Sequence, residues 1–181
     1  MQIKNSNLVN SLIAVALLVC VVVGCKQMKS LGSQTVVKSD DGKFQITVPA
    51  GWQKNAFPST KTDMRAGNLI QEVYVMVINE RKADFTDETT LDNYTEIVRN
   101  ATIENLTHPD ATPPLPVTIN GNQGRQYEIQ GTAQNMKIAY LITTVETAEH
   151  FHQIVTWTLA SRIDKNQATL QEVTNSFRLA K

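Results

Sequence analysis

Phe44-Gln45-Ile46-Thr47-Val48-Pro49-Ala50-Gly51-Trp52 reads as a strand that ends itself. Phe44, Ile46 and Val48 alternate with Gln45 and Thr47, which places three apolar side chains on one face of an extended chain. Pro49 has no N–H to donate to a ladder, and Gly51 permits a turn that lets Trp52 fold back over the sheet. Upstream, Val36-Val37 runs into Asp40-Asp41-Gly42, a strong turn signal, so the stretch forms the second arm of a hairpin with one buried face.

Working outward, Gln53–Gly67 reads as a long irregular segment. Leu69–Ile78 is nearly continuous in apolar residues, which predicts a strand covered on both faces. The period then changes: Leu91, Tyr94, Ile97, Val98 and Ala101 recur at helical spacing. Thr89, three residues before Asp92, reads as the N-terminal cap, and the helix is expected to reach about Leu106. Pro109, Pro113, Pro114 and Pro116 fill a short loop that can be neither helix nor central strand. A meander follows, with Val117–Ile119 turning at Asn120-Gly121 into an alternating run through Arg125, Tyr127 and Ile129. Met136–Val145 and Phe151–Leu159 are two further strands. A closing helix starts at Asp164 and turns Leu170, Val173 and Phe177 inward. Short strand-to-strand links imply a mostly antiparallel sheet flanked by helices, a single-domain α+β fold with α/β/α sandwich layering.

The Phe-x-Ile-x-Val-Pro-x-Gly-Trp turn, the long apolar strand, the mid-chain helix, the meander and a last helix ending near Ser176-Phe177 resemble the PsbP-like fold. That group includes the extrinsic photosystem II subunit PsbP, its bacterial relatives and the DcrB-type envelope lipoproteins. The resemblance spans about Val36 to Leu179. It implies the fold and carries over no functional residue, since fold does not determine function.

At the other end of the chain, Lys4, an apolar run from Leu12 to Val23, and Gly24 before Cys25 resemble a bacterial lipoprotein signal with its lipobox. The run falls short of the roughly 20 residues of a membrane-spanning helix. Cys20 competes as an acylation site, but it follows branched Leu17-Leu18-Val19. Residues 1–24 are therefore expected to be a signal peptide, residues 25–35 a lipidated cysteine with a polar tether, and residues 36–181 the PsbP-like domain. Lipid on Cys25 would join the protein to the membrane and make palmitate a component of the mature chain. Lys26 after that cysteine, as the resemblance implies, permits export to the periplasmic face of an outer membrane in a Gram-negative envelope.

Removing the first 24 of 181 residues leaves 157, enough for one domain with a full core. Lys4 is the one charge lost, so the 16 remaining Lys and Arg side chains face 17 Asp and Glu. That balance supplies no clustered positive field for nucleic acid. No cysteine follows Cys25, which excludes disulfides, cysteine nucleophiles and cysteine metal ligands from the domain.

Candidate chemistry is sparse. His150 and His152, alternate residues on a strand, point the same way and are the candidate metal ligands, with Glu146 or Glu149 across the turn. Zinc needs three or four ligands, however, and His108 lies in a distant segment. There is no Gly-x-Ser-x-Gly elbow, the Asp40-Asp41 and Asp87-Glu88 pairs read as turn chemistry, and Gly121–Gly124 is too short to cradle phosphate. Asn93, Asn100 and Asn105 head Asn-x-Thr triplets that read as the polar side of the helix. Trp52, Phe57 and Met64 bracket the long irregular segment and are the candidates for an exposed recognition surface. No catalytic residue and no cofactor is assigned. The expectation is a lipid-anchored, non-enzymatic accessory or binding module of the cell envelope with an envelope protein partner. The alternatives are a metal-dependent envelope enzyme using His150 and His152, or a photosystem accessory in a photosynthetic source.

Overall fold

Period-two alternation in the first hairpin is realised as β1 (Thr35–Lys38) and β2 (Phe44–Val48), antiparallel and closed by the Asp40-Asp41-Gly42 turn. Gly42 sits at φ 74°, and Asp41 Oδ1 accepts from the Lys43 amide and the Ser39 hydroxyl. Phe44, Ile46 and Val48 are fully buried. As Pro49-Ala50-Gly51 predicts, Gly51 turns at φ 83° and Trp52 is buried. The computed structural model describes residues 33–58, 62–86 and 88–180; the leader, Cys25 and the tether through residue 32 lie outside them.

Most of the chain builds one eight-stranded antiparallel sheet. Its order runs β3 (Gln53–Lys54), β4 (Met64–Asn68), β5 (Val73–Arg81), β10 (His150–Leu159), β9 (Met136–Glu146), β8 (Asn122–Ala133) and β6 (Thr107–Ala111), with β7 (Leu115–Ile119) also paired to β8. Helix α1 (Leu91–Glu104) lies on one face. Helix α2 (Ile163–Asn175) covers the other, together with a small sheet of β1, β2 and β11 (Arg178–Leu179). This is the α+β sandwich that the sequence predicts.

Alternation along the central strands divides the core in two. On the α2 side, Val73, Val75, Val77, Leu141, Val145 and Ile154 pack against Leu170, Val173 and Phe177. On the α1 side, Tyr127, Ile142, Phe151 and Val155 meet Leu91, Tyr94 and Val98, with Tyr94 stacked on Phe151 at 4.4 Å.

Three local expectations are corrected. The apolar run Leu69–Ile78 is not one strand. Leu69 and Ile70 are exposed at 56% and 89% in a turn, where Asn68 Oδ1 accepts from the amides of Ile70 and Gln71. Gln53–Gly67 is not wholly irregular, since it contributes β3 and most of β4. The proline-rich stretch is strand at the sheet edge: Pro109 sits where the β6 register shifts, and Pro116 lies in β7. Short edge strands and prolines limit pairing with other chains.

The cap of α1 is Thr90, one residue beyond the expected Thr89, with Thr90 Oγ1 accepting from the Asn93 amide at 3.2 Å. Thr90→Ala is expected to cost about 1 kcal/mol of stability. A denaturant midpoint unchanged from the parent would show that this bond adds nothing. Asn93, Asn100 and Asn105 are all exposed, as the polar face requires.

Candidate functional site

His150 and His152 point from β10 to the α2 side of the sheet, as their spacing predicts, with ring centroids 6.0 Å apart. They differ in environment. His150 is half-buried, whereas His152 is 2% exposed and clamped between Phe44 at 5.6 Å and Phe177 at 5.0 Å. Burial, reinforced by the nearby His150, pushes the His152 imidazole down to about 4, so it is neutral at physiological pH.

The metal expectation meets an obstacle in the pleat. Glu146 pairs with Phe151, not with either histidine, so its side chain emerges on the α1 side. There it holds Lys82 at 2.5 Å, and the Lys82 ammonium lies 5.3 Å from the Phe151 ring centroid. His108 lies on β6, with β8 and β9 between it and β10. Among the described residues no three His, Cys, Asp or Glu side chains are grouped to hold a metal ion.

A cleft of about 300 Å³ opens beside the two histidines, walled by Phe44, Thr147, Leu179 and Ala180, with Lys43 and Glu149 lining it as well. Asn79 of β5, the cross-strand partner of His152, also faces it. Thr147 Oγ1 lies 3.0 Å from the His150 carbonyl and 3.2 Å from His152 Nε2. The His150 carbonyl also accepts from the Thr147 amide at 2.9 Å, and which of the hydroxyl and Nε2 donates to the other depends on the imidazole tautomer. His152 Nδ1 and Asn79 Oδ1 are both buried without a hydrogen-bond partner. Among the described residues no carboxylate partners Nδ1 to orient the ring, as the third member of a serine-hydrolase triad does.

Trp52, Phe57 and Met64 do not form one surface. Trp52 and Met64 are buried in the α2-side core, Met64 opposite Val77 on β5. Phe57 lies on the other face of the sheet, packed edge-on to Trp157 at 5.0 Å and to Tyr74 at 5.9 Å. The sheet itself separates them.

On that α1 face the helix leaves part of the sheet open. A groove of about 560 Å³ runs between them, lined by Met76, Ile78, Ile97, Ala101, Tyr140 and Ile142. A second hollow of about 510 Å³ shares Met76 and Tyr140 and extends to Phe57, Met136 and Trp157. Glu80 sits in the groove and accepts from Tyr94 OH at 2.5 Å and from Gln153 Nε2 at 2.8 Å. Burial and the Glu80 carboxylate push the Tyr94 hydroxyl well above its usual range, which keeps it a donor. Ile97, predicted as a core residue from its spacing, is 56% exposed at the groove rim. Nothing in the helical period distinguishes Ile97 from Val98; only the extent of the sheet beneath does.

No family model and no curated protein matches the sequence. The structure, in contrast, superposes on cyanobacterial PsbP (CyanoP) from Synechocystis sp. PCC 6803 with a TM-score of 0.60 at 15% identity, covering 87% of this chain and 99% of that one. The fold is PsbP-like. LpqN, described as involved in cell envelope biogenesis of Mycobacterium tuberculosis, shares the PsbP-like arrangement with a TM-score of 0.57 at 12% identity, over 82% of this chain and 91% of that one.

Proposed function

We propose that this protein is a non-enzymatic binding module of the bacterial cell envelope, anchored through lipid on Cys25 and engaging its partner through the groove beside α1. The observation that carries this reading is the groove itself: a broad, aromatic-floored, apolar hollow whose rim residues Ile97 and Ala101 are exposed. Such a surface is costly to leave open to water, and exposed apolar patches of this kind mark binding sites. The sequence before the domain supports the anchor, and the envelope role described for LpqN is consistent with the same setting.

A photoreactive side chain at Ile97 in the full-length protein, expressed in its own cells, is expected to capture an envelope component. The same group at Lys165, exposed on α2 across the sheet, should not. Equal capture at both positions, or none at Ile97, overturns the reading. The anchor is tested separately. Cys25→Ala is expected to move the protein from the membrane to the soluble fraction, because acyl burial at about 0.8 kcal/mol per methylene is lost. Persistent membrane association of that variant would remove the lipid from the account.

A further inference from the structure

The hairpin between β4 and β5 turns on Leu69-Ile70, and Ile70 is 89% exposed at its tip. Single exposed aliphatics are ordinary on a protein surface. Tight turns, however, draw on Gly, Pro, Asn, Asp and Ser for conformational reasons that an adjacent Leu-Ile pair does not meet. The backbone beneath the pair has its partners in place. Asn68 Oδ1 accepts from the Ile70 and Gln71 amides, and the Arg162 guanidinium donates at 3.4 Å to the carbonyls of the same two residues. Thr158 Oγ1 donates to the Glu72 carbonyl at 2.8 Å, and the Glu72 carboxylate is itself paired with Arg162 at 2.8 Å. Satisfied backbone and paired charge are what an apolar medium demands of a segment that enters it.

We propose that Leu69 and Ile70 insert into the lipid interface of the membrane that holds the anchor, docking the domain on the bilayer by this end.

The place where the chain enters the domain selects lipid as the occupant. Thr35 of β1 pairs with Val48 of β2. Three residues beyond Val48, a Cβ at Gly51 would lie 3.5 Å from Asn68 Nδ2, at the foot of the tip. Gln53 then pairs with Gly67, the residue before Asn68. The start of the domain and the Leu69-Ile70 tip therefore share one end. Thr35 lies ten residues after Cys25, a reach of at most about 35 Å when extended, so an acylated Cys25 holds this end near the bilayer. The β8–β9 hairpin turns there too, because Val73 pairs with Thr158 and Thr158 with Ala139, and its Met136 is 49% exposed. The docking rests on the lipid at Cys25 proposed above and adds an orientation to it: aliphatic side chains at the tethered end enter the interface, as the apolar face of a monotopic anchor does.

No cysteine follows Cys25, so Ile70→Cys adds a single free thiol to the acylated chain, at a position too exposed to disturb folding. The test labels that thiol with a nitrobenzoxadiazole fluorophore. The acylated protein, purified from its own membranes, is then reconstituted in vesicles of phosphatidylethanolamine and phosphatidylglycerol that carry doxyl-labelled acyl chains. The emission is expected to shift to the blue and to be strongly quenched. The same probe at Ala148, exposed in the β9–β10 turn at the opposite end of the sheet, should keep its emission. Adding Leu69→Asp should return the Ile70 probe to the Ala148 level, because a carboxylate at the tip resists leaving water. A probe that stays quenched beside Leu69→Asp enters the lipid by its own hydrophobicity and overturns the proposal. Equal quenching at both ends overturns it as well, as does none at Ile70, the result expected of a tip that serves a protein partner. Flotation of the same vesicles separates the two readings. Protein that does not float has lost the anchor and the docking with it, whereas floated protein with an unquenched Ile70 probe keeps the anchor and loses the docking alone.

Discussion

Phe44→Ala is expected to lower the unfolding free energy by about 3–5 kcal/mol, the usual cost of deleting a fully buried ring from a packed site. Phe44 has no exposed surface, and it touches both His152 and Phe177, at ring separations of 5.6 and 5.7 Å. It thereby joins three elements: the small sheet, the central strand β10 and the segment leaving α2. The same junction is tied by backbone, with Ser176 Oγ accepting from the Thr47 amide at 2.8 Å. No neighbour is free to collapse into the space, because β2 is held on one side by β1 and on the other by β11. Against a total stability of about 5–15 kcal/mol for a domain of this size, the loss should be plain in a denaturant melt. A change below about 1 kcal/mol would mean that the small sheet contributes little to the core it covers.

His152 is expected to make the protein lose stability as pH falls from 6.5 toward 4. Its folded-state value lies near 4 and its unfolded value near 6.5, so between them the unfolded chain holds a proton that the folded chain does not. Stability therefore rises with pH across that window. The penalty is absent above it and fully developed below about 4. The span corresponds to about 3 kcal/mol at full development, with a limiting slope of one proton. Asp41 acts lower on the scale. Burial pushes its carboxyl up, but hydrogen bonds from the Lys43 amide and the Ser39 hydroxyl together outweigh this and bring it below its usual value, so its contribution disappears only at still lower pH. Denaturant unfolding at a series of pH values, compared between the parent and His152→Gln, isolates the effect. The variant should lose about one proton of pH dependence between pH 4 and 6.5. Identical pH profiles would show that the imidazole is solvated and titrates freely in the folded state.

Much of the architecture was legible because the chemistry that specifies it is local. Asp40-Asp41-Gly42 and Asn120-Gly121 supply left-handed turns, seen at φ 74° for Gly42 and at 46° and 85° for Asn120 and Gly121. Period-two runs became β2, β8 and β9, and the two helical periods became α1 and α2. The split of Leu69–Ile78 was missed because apolar content outweighed Asn68, whose side chain caps the turn through two amides. Strand β4 was missed for the opposite reason, since Met64-Arg65-Ala66-Gly67-Asn68 carries little strand propensity. Its burial comes from pairing with β5, and Gly67 is required there because a Cβ would stand 2.5 Å from Tyr74 Cδ1.

The candidate sites divide in the same way. Spacing alone put His150 and His152 on one side of a strand. It could not show that one is sealed between two phenyl rings while the other is half-open, nor that Glu146 faces away from both. Asn79 carries no sequence signal at all, being one residue in an apolar strand until β10 pairs beside it and sets it opposite His152. Composition and local periodicity determined the cysteine-free α+β sandwich and the places where the chain turns, because those depend on neighbours a few residues apart. The division of the core into two faces, the separation of Trp52 and Met64 from Phe57, the open groove beside α1 and the placement of Asn79 opposite His152 were decided by tertiary pairing alone. Strand register and helix coverage arise from contacts between residues far apart in the chain, and no local pattern encodes them.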